Sequence, residues 1–100
     1  MINIHVLYNK DAIKKITLKG HALYDDYGKD IVCAAVSATY LCTVNAIYTI
    51  NEKSIEVKNQ TITVKENDKT IKLLLENMIR CLESLEKQYP KNIKLDKEEE

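Results

Sequence analysis

One histidine and one cysteine, twelve residues apart, are the side chains of this sequence best suited to chemistry. His21 follows Gly20, and Cys33 is the third residue after Asp30. Because Asp is a preferred helix N-cap, we expect Cys33 in the first turn of a helix, where unpaired N–H groups and the helix dipole favour a thiolate. A cysteine hydrolase needs that thiolate, a nearby imidazole and amide donors for the oxyanion. This stretch supplies all three if the intervening loop folds back over the helix start.

Plainer roles are available to the same side chains. Cys33 is also accounted for as a buried apolar residue, and His21 as a loop histidine bonded to backbone. A metal site made of His21, Cys33 and Cys42 is a weak alternative, because structural zinc takes four ligands and no CxxC or HxxxH pair is present. We therefore expect no metal at these residues. Cys42 and Cys81 lie on apolar faces of predicted helices, and we expect both in the core.

Two polar residues beside the pair each have two interpretations. Asp30 either only caps the helix or also orients His21, as the third member of a catalytic triad does. Ser37 lies one helical turn after Cys33 on the same face. Its hydroxyl either points at the site or bonds back to the backbone at position 33.

Residues 21–30 follow neither the helical nor the strand period, and we predict a loop there. Gly20 and Gly28 bracket this loop. Since glycine adopts backbone angles that other residues resist, both are predicted hinges. Tyr24 and Tyr27, inside the loop, either contact a peptide or pack the loop against the protein, and nothing in the sequence separates these alternatives.

Apolar periodicity predicts the elements that hold this loop. Alternating apolar and polar residues indicate two hairpins, one within residues 1–20 and one about the turn at 59–60. Helical spacing indicates a second, amphipathic helix that Pro90 stops, followed by a short strand at 93–95. The order β-β-α-β-β-α-β predicts an α+β two-layer sandwich with a largely antiparallel sheet and two helices.

The segment from Ile31 to Asn51 contains no charged residue. Its length raises the alternative of a membrane span, but its hydroxyl and amide side chains and the amphipathic elements on both sides argue against one. A helix that is apolar nearly all round must be buried. Because one small core hardly covers every face of such a helix, we predict a homodimer.

Composition excludes several classes of protein. Fifteen Lys and Arg balance fifteen Asp and Glu, so we expect no direct nucleic-acid or membrane partner. Two glycines and one proline exclude disordered low-complexity chains and glycine-rich phosphate loops. Three cysteines without a close pair, and no signal-peptide pattern, predict reduced thiols in the cytoplasm. The length predicts one domain over residues 1–96, followed by a charged, solvated tail at 97–100.

The stretch from Gly20 to Ser37 resembles the ribosomal-processing cysteine protease family, Prp. The residues that carry the resemblance are Gly20-His21-Ala22, Tyr27-Gly28, the run Asp30-Ile31-Val32-Cys33-Ala34-Ala35-Val36-Ser37, and Val44-Asn45-Ala46. The combination of GHA, a short loop and DIVCAAVS is specific. Length and element order also fit, so the resemblance covers nearly the whole chain.

The resemblance implies an α+β homodimer whose catalytic pair maps onto His21 and Cys33. It implies a cysteine endopeptidase that removes the short N-terminal extension of large-subunit ribosomal protein twenty-seven. Cleavage would follow an aromatic residue and pass through an acyl-enzyme without a cofactor. The sequence departs from the family pattern at Thr39-Tyr40 and at Leu23-Tyr24-Asp25, and the second departure bears on substrate fit. The alternative is a non-enzymatic ribosome-associated module that binds the same protein tail.

Overall fold

Five strands and two helices form the α+β fold that the sequence predicts. The computed structural model describes residues 1–26 and 28–100. The elements are β1 (Ile2–Asn9), β2 (Ala12–Lys19), α1 (Ile31–Asn51), β3 (Ile55–Lys58), β4 (Thr61–Val64), α2 (Lys69–Gln88) and β5 (Ile93–Glu99). The strands form one sheet in the order β3-β4-β2-β1-β5. Every neighbouring pair is antiparallel except β1 with β5, so the predicted element order and sheet type are confirmed.

The core lies on one side of the sheet, where the alternating apolar residues of the strands point. Ile4 and Val6 of β1 are almost fully buried, as is Ile16 of β2. The strongly periodic stripe of α2, which includes Met78 and Leu82, joins the same cluster. Burying one such side chain contributes roughly 1.5–3 kcal/mol. The sheet and the helices therefore share one core, and the loop before α1 is attached to its edge.

Helix α1 is buried along one stripe and exposed on its opposite face. Val32, Val36, Val44 and Ile47 form the buried stripe, and α1 packs against α2. By length and composition α1 is apolar enough to cross a membrane, a test that core helices of soluble proteins also pass. Within one chain α1 is therefore only partly covered, as expected from the sequence for so small a core, and the homodimer inferred from this stays a prediction.

The two cysteines predicted to lie in the core are exposed, so that prediction is wrong. Cys42 lies on the outer face of α1, opposite the buried stripe. Cys81 lies at the margin of the α2 stripe, about a quarter turn from its centre near Leu82. Both predictions fail for the same reason. The apolar face that the sequence predicts on each helix is wider than the surface that neighbouring elements cover.

The last strand is longer than predicted. β5 pairs in parallel with β1 from Ile2↔Ile93 to Tyr8↔Glu99, and the Glu100 N–H donates to the Tyr8 carbonyl at 2.8 Å. The residues predicted as a tail, 97–100, are exposed, but they are part of the sheet or bonded to it. These residues show no alternation of apolar and polar side chains. Pairing at a sheet edge satisfies their backbone N–H and C=O groups without burying any side chain.

Both glycines adopt positive φ angles that favour glycine, +90° at Gly20 and +85° at Gly28. A Cβ at Gly20 would overlap the Met1 carbonyl oxygen, whereas a Cβ at Gly28 would enter open space. Gly20 is therefore required both by its backbone angle and by close packing against the first residue of the chain. The hinge role of the two glycines stays a prediction.

We expect Gly20→Ala to lower the free energy of unfolding more than Gly28→Ala. The Gly28 variant suffers only the strained φ angle, which costs about 1 kcal/mol. The Gly20 variant must also displace Met1, which raises the loss to about 2 kcal/mol or more. Urea denaturation of the two variants measures the difference, and equal losses would contradict the close-packing argument.

Candidate active site

A cleft of about 800 Å³ lies where β2 ends, the loop turns back and α1 begins. Its walls are mainly apolar and include Leu18, Val36 and Leu41. The predicted site residues that line it are Gly20, His21, Gly28, Asp30, Cys33 and Ser37. The fold thus brings together side chains that the sequence singled out on both sides of the loop.

Cys33 lies in the first turn of α1, half-buried against the core. Its Sγ accepts a hydrogen bond from the Ala22 N–H at 3.2 Å. Ala22 is itself almost completely buried. The loop therefore does fold back over the helix start, and its backbone reaches the sulfur directly.

The Asp30 carboxylate is the N-cap of α1 and also holds the loop. Oδ1 accepts from the N–H groups of Val32 at 3.0 Å and Cys33 at 2.9 Å, and Oδ2 accepts from the Tyr24 N–H at 3.0 Å. The pKa of this carboxyl lies below its ordinary value, chiefly because the Cys33 N–H donates to it. The N–H groups of Tyr24 and Asp25 and the Cys33 side chain lower it further, against an opposing effect of burial.

This capping leaves fewer free amides at the helix start than the sequence suggests. The Val32 and Cys33 N–H groups donate to the Asp30 side chain, and the Ala34 N–H donates to the Asp30 carbonyl at 3.1 Å. The amides expected to bind an oxyanion are thus occupied in this structure. The Ala22 N–H is a further amide donor beside the sulfur.

His21 is exposed at the mouth of the cleft. Within residues 1–26 and 28–100, no hydrogen bond joins its ring to Cys33 or to Asp30. Since Ala22 follows His21 directly, standard peptide geometry places the His21 Cα within about 6 Å of the Cys33 Sγ. The backbone of His21 therefore lies beside the thiol, while among the described residues no hydrogen bond pairs the two side chains.

Residues that the sequence did not single out hold the loop from behind. The Tyr24 ring packs edge-to-face on Tyr89, with centroids 5.4 Å apart and an interplanar angle of 79°. The Asn92 Nδ2 donates to the Ala22 carbonyl at 2.9 Å. Tyr24 thus makes the packing contact of its two predicted roles, while Tyr27 lies outside the described residues. No local pattern reveals Tyr89 or Asn92, because they follow α2, far along the chain from this loop.

Two further side chains of α1 line the cleft. Ser37 lies one turn after Cys33, and Tyr40 follows on the same flank of the helix. Burial of the half-buried Tyr40 raises the pKa of its hydroxyl, and nearby Tyr48 raises it further. Among all residues but Tyr27, no three His, Cys, Asp or Glu side chains are grouped so as to hold a metal ion.

The comparisons with known proteins agree with one another. The model of the family described as cysteine protease Prp matches residues 1–94. This chain belongs to the Prp family of cysteine proteases. The ribosomal processing cysteine protease Prp of Staphylococcus aureus is 29% identical over 104 residues, covering 96% of this chain and 98% of that protein. The Prp protein of Bacillus subtilis is 27% identical over 96 residues, covering 84% and 85%.

The Prp fold is also shown by a solved structure. The crystal structure of the S. aureus Prp protease with a covalently linked product peptide matches with a TM-score of 0.89 and 29% identity. The match covers 98% of this chain and 100% of that chain. The resemblance drawn from the GHA and DIVCAAVS motifs is therefore confirmed, as is the prediction of a cysteine protease.

We expect Asp30→Asn to reduce the pH dependence of stability at acidic pH. A carboxyl whose pKa is lowered on folding stabilises the native state above its unfolded pKa, and this contribution is lost as pH falls through the folded pKa. The free energy of unfolding of the wild type should thus fall more steeply below about pH 4 than that of the variant. Urea titrations between pH 3 and 7 test this, with Asp96→Asn on exposed β5 as control. Parallel pH profiles of wild type and Asp30→Asn would contradict the capping argument.

Proposed function

We propose that this Prp-family protease removes an N-terminal extension from a large-subunit ribosomal protein, with Cys33 as nucleophile and His21 as acid and base. The observation that carries the proposal is the contact between Cys33 Sγ and the segment that bears His21, at the floor of a peptide-sized cleft. The name of the S. aureus relative describes ribosomal processing, and that relative has been crystallised with a covalently linked product peptide. Both support a peptide substrate of this kind.

The reaction is acyl transfer with two half-steps. The Cys33 thiolate attacks the scissile carbonyl carbon, and the C–N bond breaks as His21 gives a proton to the leaving amine. Water then attacks the thioester while His21 takes a proton from it, which releases the acid product and restores the thiolate. That no hydrogen bond joins the imidazole to the sulfur among the described residues is compatible with this scheme, since catalytic hydrogen bonds often tighten only when substrate is bound.

The oxyanion is stabilised by amide N–H groups that lie beside the sulfur. The Ala22 N–H already contacts Sγ, and as the sulfur loses its charge on acylation this donor becomes available to the new oxyanion. The Cys33 N–H contributes if its bond to Asp30 lengthens as substrate enters. Asp30 retains the cap through its second bond, to Val32, so the helix start stays ordered.

The apolar cleft is suited to an aromatic residue next to the cleaved bond. Leu18, Val36 and Leu41 form a wall that a flat ring can contact, and Tyr40 projects from the same helix. We therefore propose as substrate the extension of ribosomal protein twenty-seven, cut after an aromatic residue.

We also propose that two copies pair through the outer face of α1. The helix carries no charged residue, and at the margin of this face Tyr48 is 40% exposed and Leu41, which also lines the cleft, is 54% exposed. Ala38 and Cys42 lie on the same face, opposite the buried stripe. Pairing removes this apolar surface from water and places the two clefts beside the interface. With reduced thiols and a ribosomal substrate, the proposed location is the cytoplasm.

Cys33→Ala is expected to fold and to lose cleavage by at least about 1,000-fold, because the nucleophile is absent. The substrate is a synthetic peptide with the aromatic-containing N-terminal extension of the ribosomal protein, and the products are read by mass. Cys81→Ala, which removes an exposed thiol from α2, is the matched control and should cleave as the wild type does.

Undiminished cleavage by purified Cys33→Ala would contradict the assignment of the nucleophile. Peptide binding without cleavage by the wild type would instead favour the ribosome-associated binding module. In that case the Cys33→Ala and His21→Ala variants should bind the peptide as tightly as the wild type.

Ala38→Glu is expected to convert a dimer into a monomer, since it places one charge from each copy in the apolar interface. Sedimentation velocity measures the change in mass. Leu73→Glu is the control, because Leu73 is 68% exposed on the other helix and should leave the assembly unchanged. A wild-type protein that sediments as a monomer at high concentration would overturn the proposed dimer.

A further inference from the structure

We propose that Asn92 is a positioning residue for the Cys33 nucleophile, acting through the backbone of Ala22. This inference rests on the proposed function of Cys33. The Asn92 Nδ2 donates to the Ala22 carbonyl at 2.9 Å, and the Ala22 N–H donates to the Cys33 Sγ at 3.2 Å. The side chain of Asn92 thus holds Ala22, whose amide contacts the sulfur and whose neighbour is His21.

Ala22 depends on this side chain because its carbonyl lies outside the sheet. β2 ends at Lys19, and the chain reverses at Gly20, with φ of +90°. Leu23 follows with φ of +56°, an uncommon angle for a residue other than glycine. Ala22, almost completely buried, lies between these two residues and outside the strands, so a side-chain donor is needed to satisfy its carbonyl.

Asn92 is held by the core rather than by the loop. Its N–H donates to the Tyr89 carbonyl at 2.9 Å, and its carbonyl accepts from the Ile2 N–H at 2.8 Å. Residue 92 immediately precedes β5, next to the first residue of β1. Its amide group is therefore a fixed point from which the loop is held, and the half-buried setting limits competition from water.

The chemistry of the contact explains why an amide is suited to position 92. An asparagine donates through Nδ2, whereas an aspartate of the same size would place a carboxylate oxygen against the Ala22 carbonyl oxygen. Two acceptors repel, so the Ala22 segment would shift away from β5. Displacing a group at the reaction centre by about 1 Å can lower the rate about 100-fold without loss of the fold.

The test compares Asn92→Asp and Asn92→Ala with the wild type in two assays. In the cleavage assay with the synthetic extension peptide, we expect kcat to fall roughly 10- to 100-fold while KM changes less than about threefold. In the second assay, iodoacetamide labelling of Cys33 is followed by mass on the peptide that contains it, in a Cys42→Ala, Cys81→Ala background because both of those thiols are exposed. We expect the alkylation rate of Cys33 to fall about tenfold because the Ala22 N–H no longer supports the thiolate. Asn77→Asp, an exposed asparagine of α2, is the control and should match the wild type in both assays.

Thermal melting separates positioning from stability. The proposal requires the losses to occur at a temperature where each variant is fully folded. It is overturned if both variants retain wild-type kcat and alkylation rate, if KM alone rises, or if each loss matches the fraction unfolded. If Asn92→Asp does not fold, Asn92→Ala decides by the same criteria. Failure of the proposed function has a different signature: the wild type leaves the peptide uncut, while the alkylation comparison still tests Asn92.

Discussion

The carboxylate of Asp30 joins the loop that carries His21 to the helix that carries Cys33. One oxygen accepts from two amides of the first turn of α1, and the other accepts from the Tyr24 amide in the loop. A helix start needs acceptors for its unpaired N–H groups, and a negative charge there is also favoured by the helix dipole. Since the same carboxylate also bonds to the loop, the helix cap and the loop that borders the cleft depend on one side chain.

The cleft lies at the boundary between the two faces of α1. One stripe of this helix packs into the core, while the opposite face carries no charge and is exposed in a single chain. Cys33, Ser37 and Tyr40 lie on the flank between them, at helical spacing. A side chain on this flank is anchored by core packing and still faces the cleft, which is the placement that the proposed role of Cys33 requires.

The amides around Cys33 are hydrogen-bonded within the protein and are not left free. The amides of the helix start donate to Asp30, and the Ala22 amide donates to the sulfur, so each donor has a partner before substrate arrives. Unpaired buried donors are costly, which explains why a free protein engages them. The proposed mechanism therefore requires these N–H groups to exchange partners, while Asn92 and Tyr89 hold the loop through their contacts with Ala22 and Tyr24.

Local patterns in the sequence determined the element order, the cap at Asp30, the turns of both hairpins and the motifs that identify the family. These features depend on residues close together in the chain, where periodicity and capping act. Only the tertiary structure decided that β5 extends to Glu99, that Cys42 and Cys81 are exposed, and that Asn92 bonds to Ala22. The physical reason is common to all three: each depends on which surface or strand edge a distant segment covers. Backbone pairing at a sheet edge and partial burial of a helix face produce no periodic pattern of residue types. Neither does a single amide contact between residues 70 positions apart.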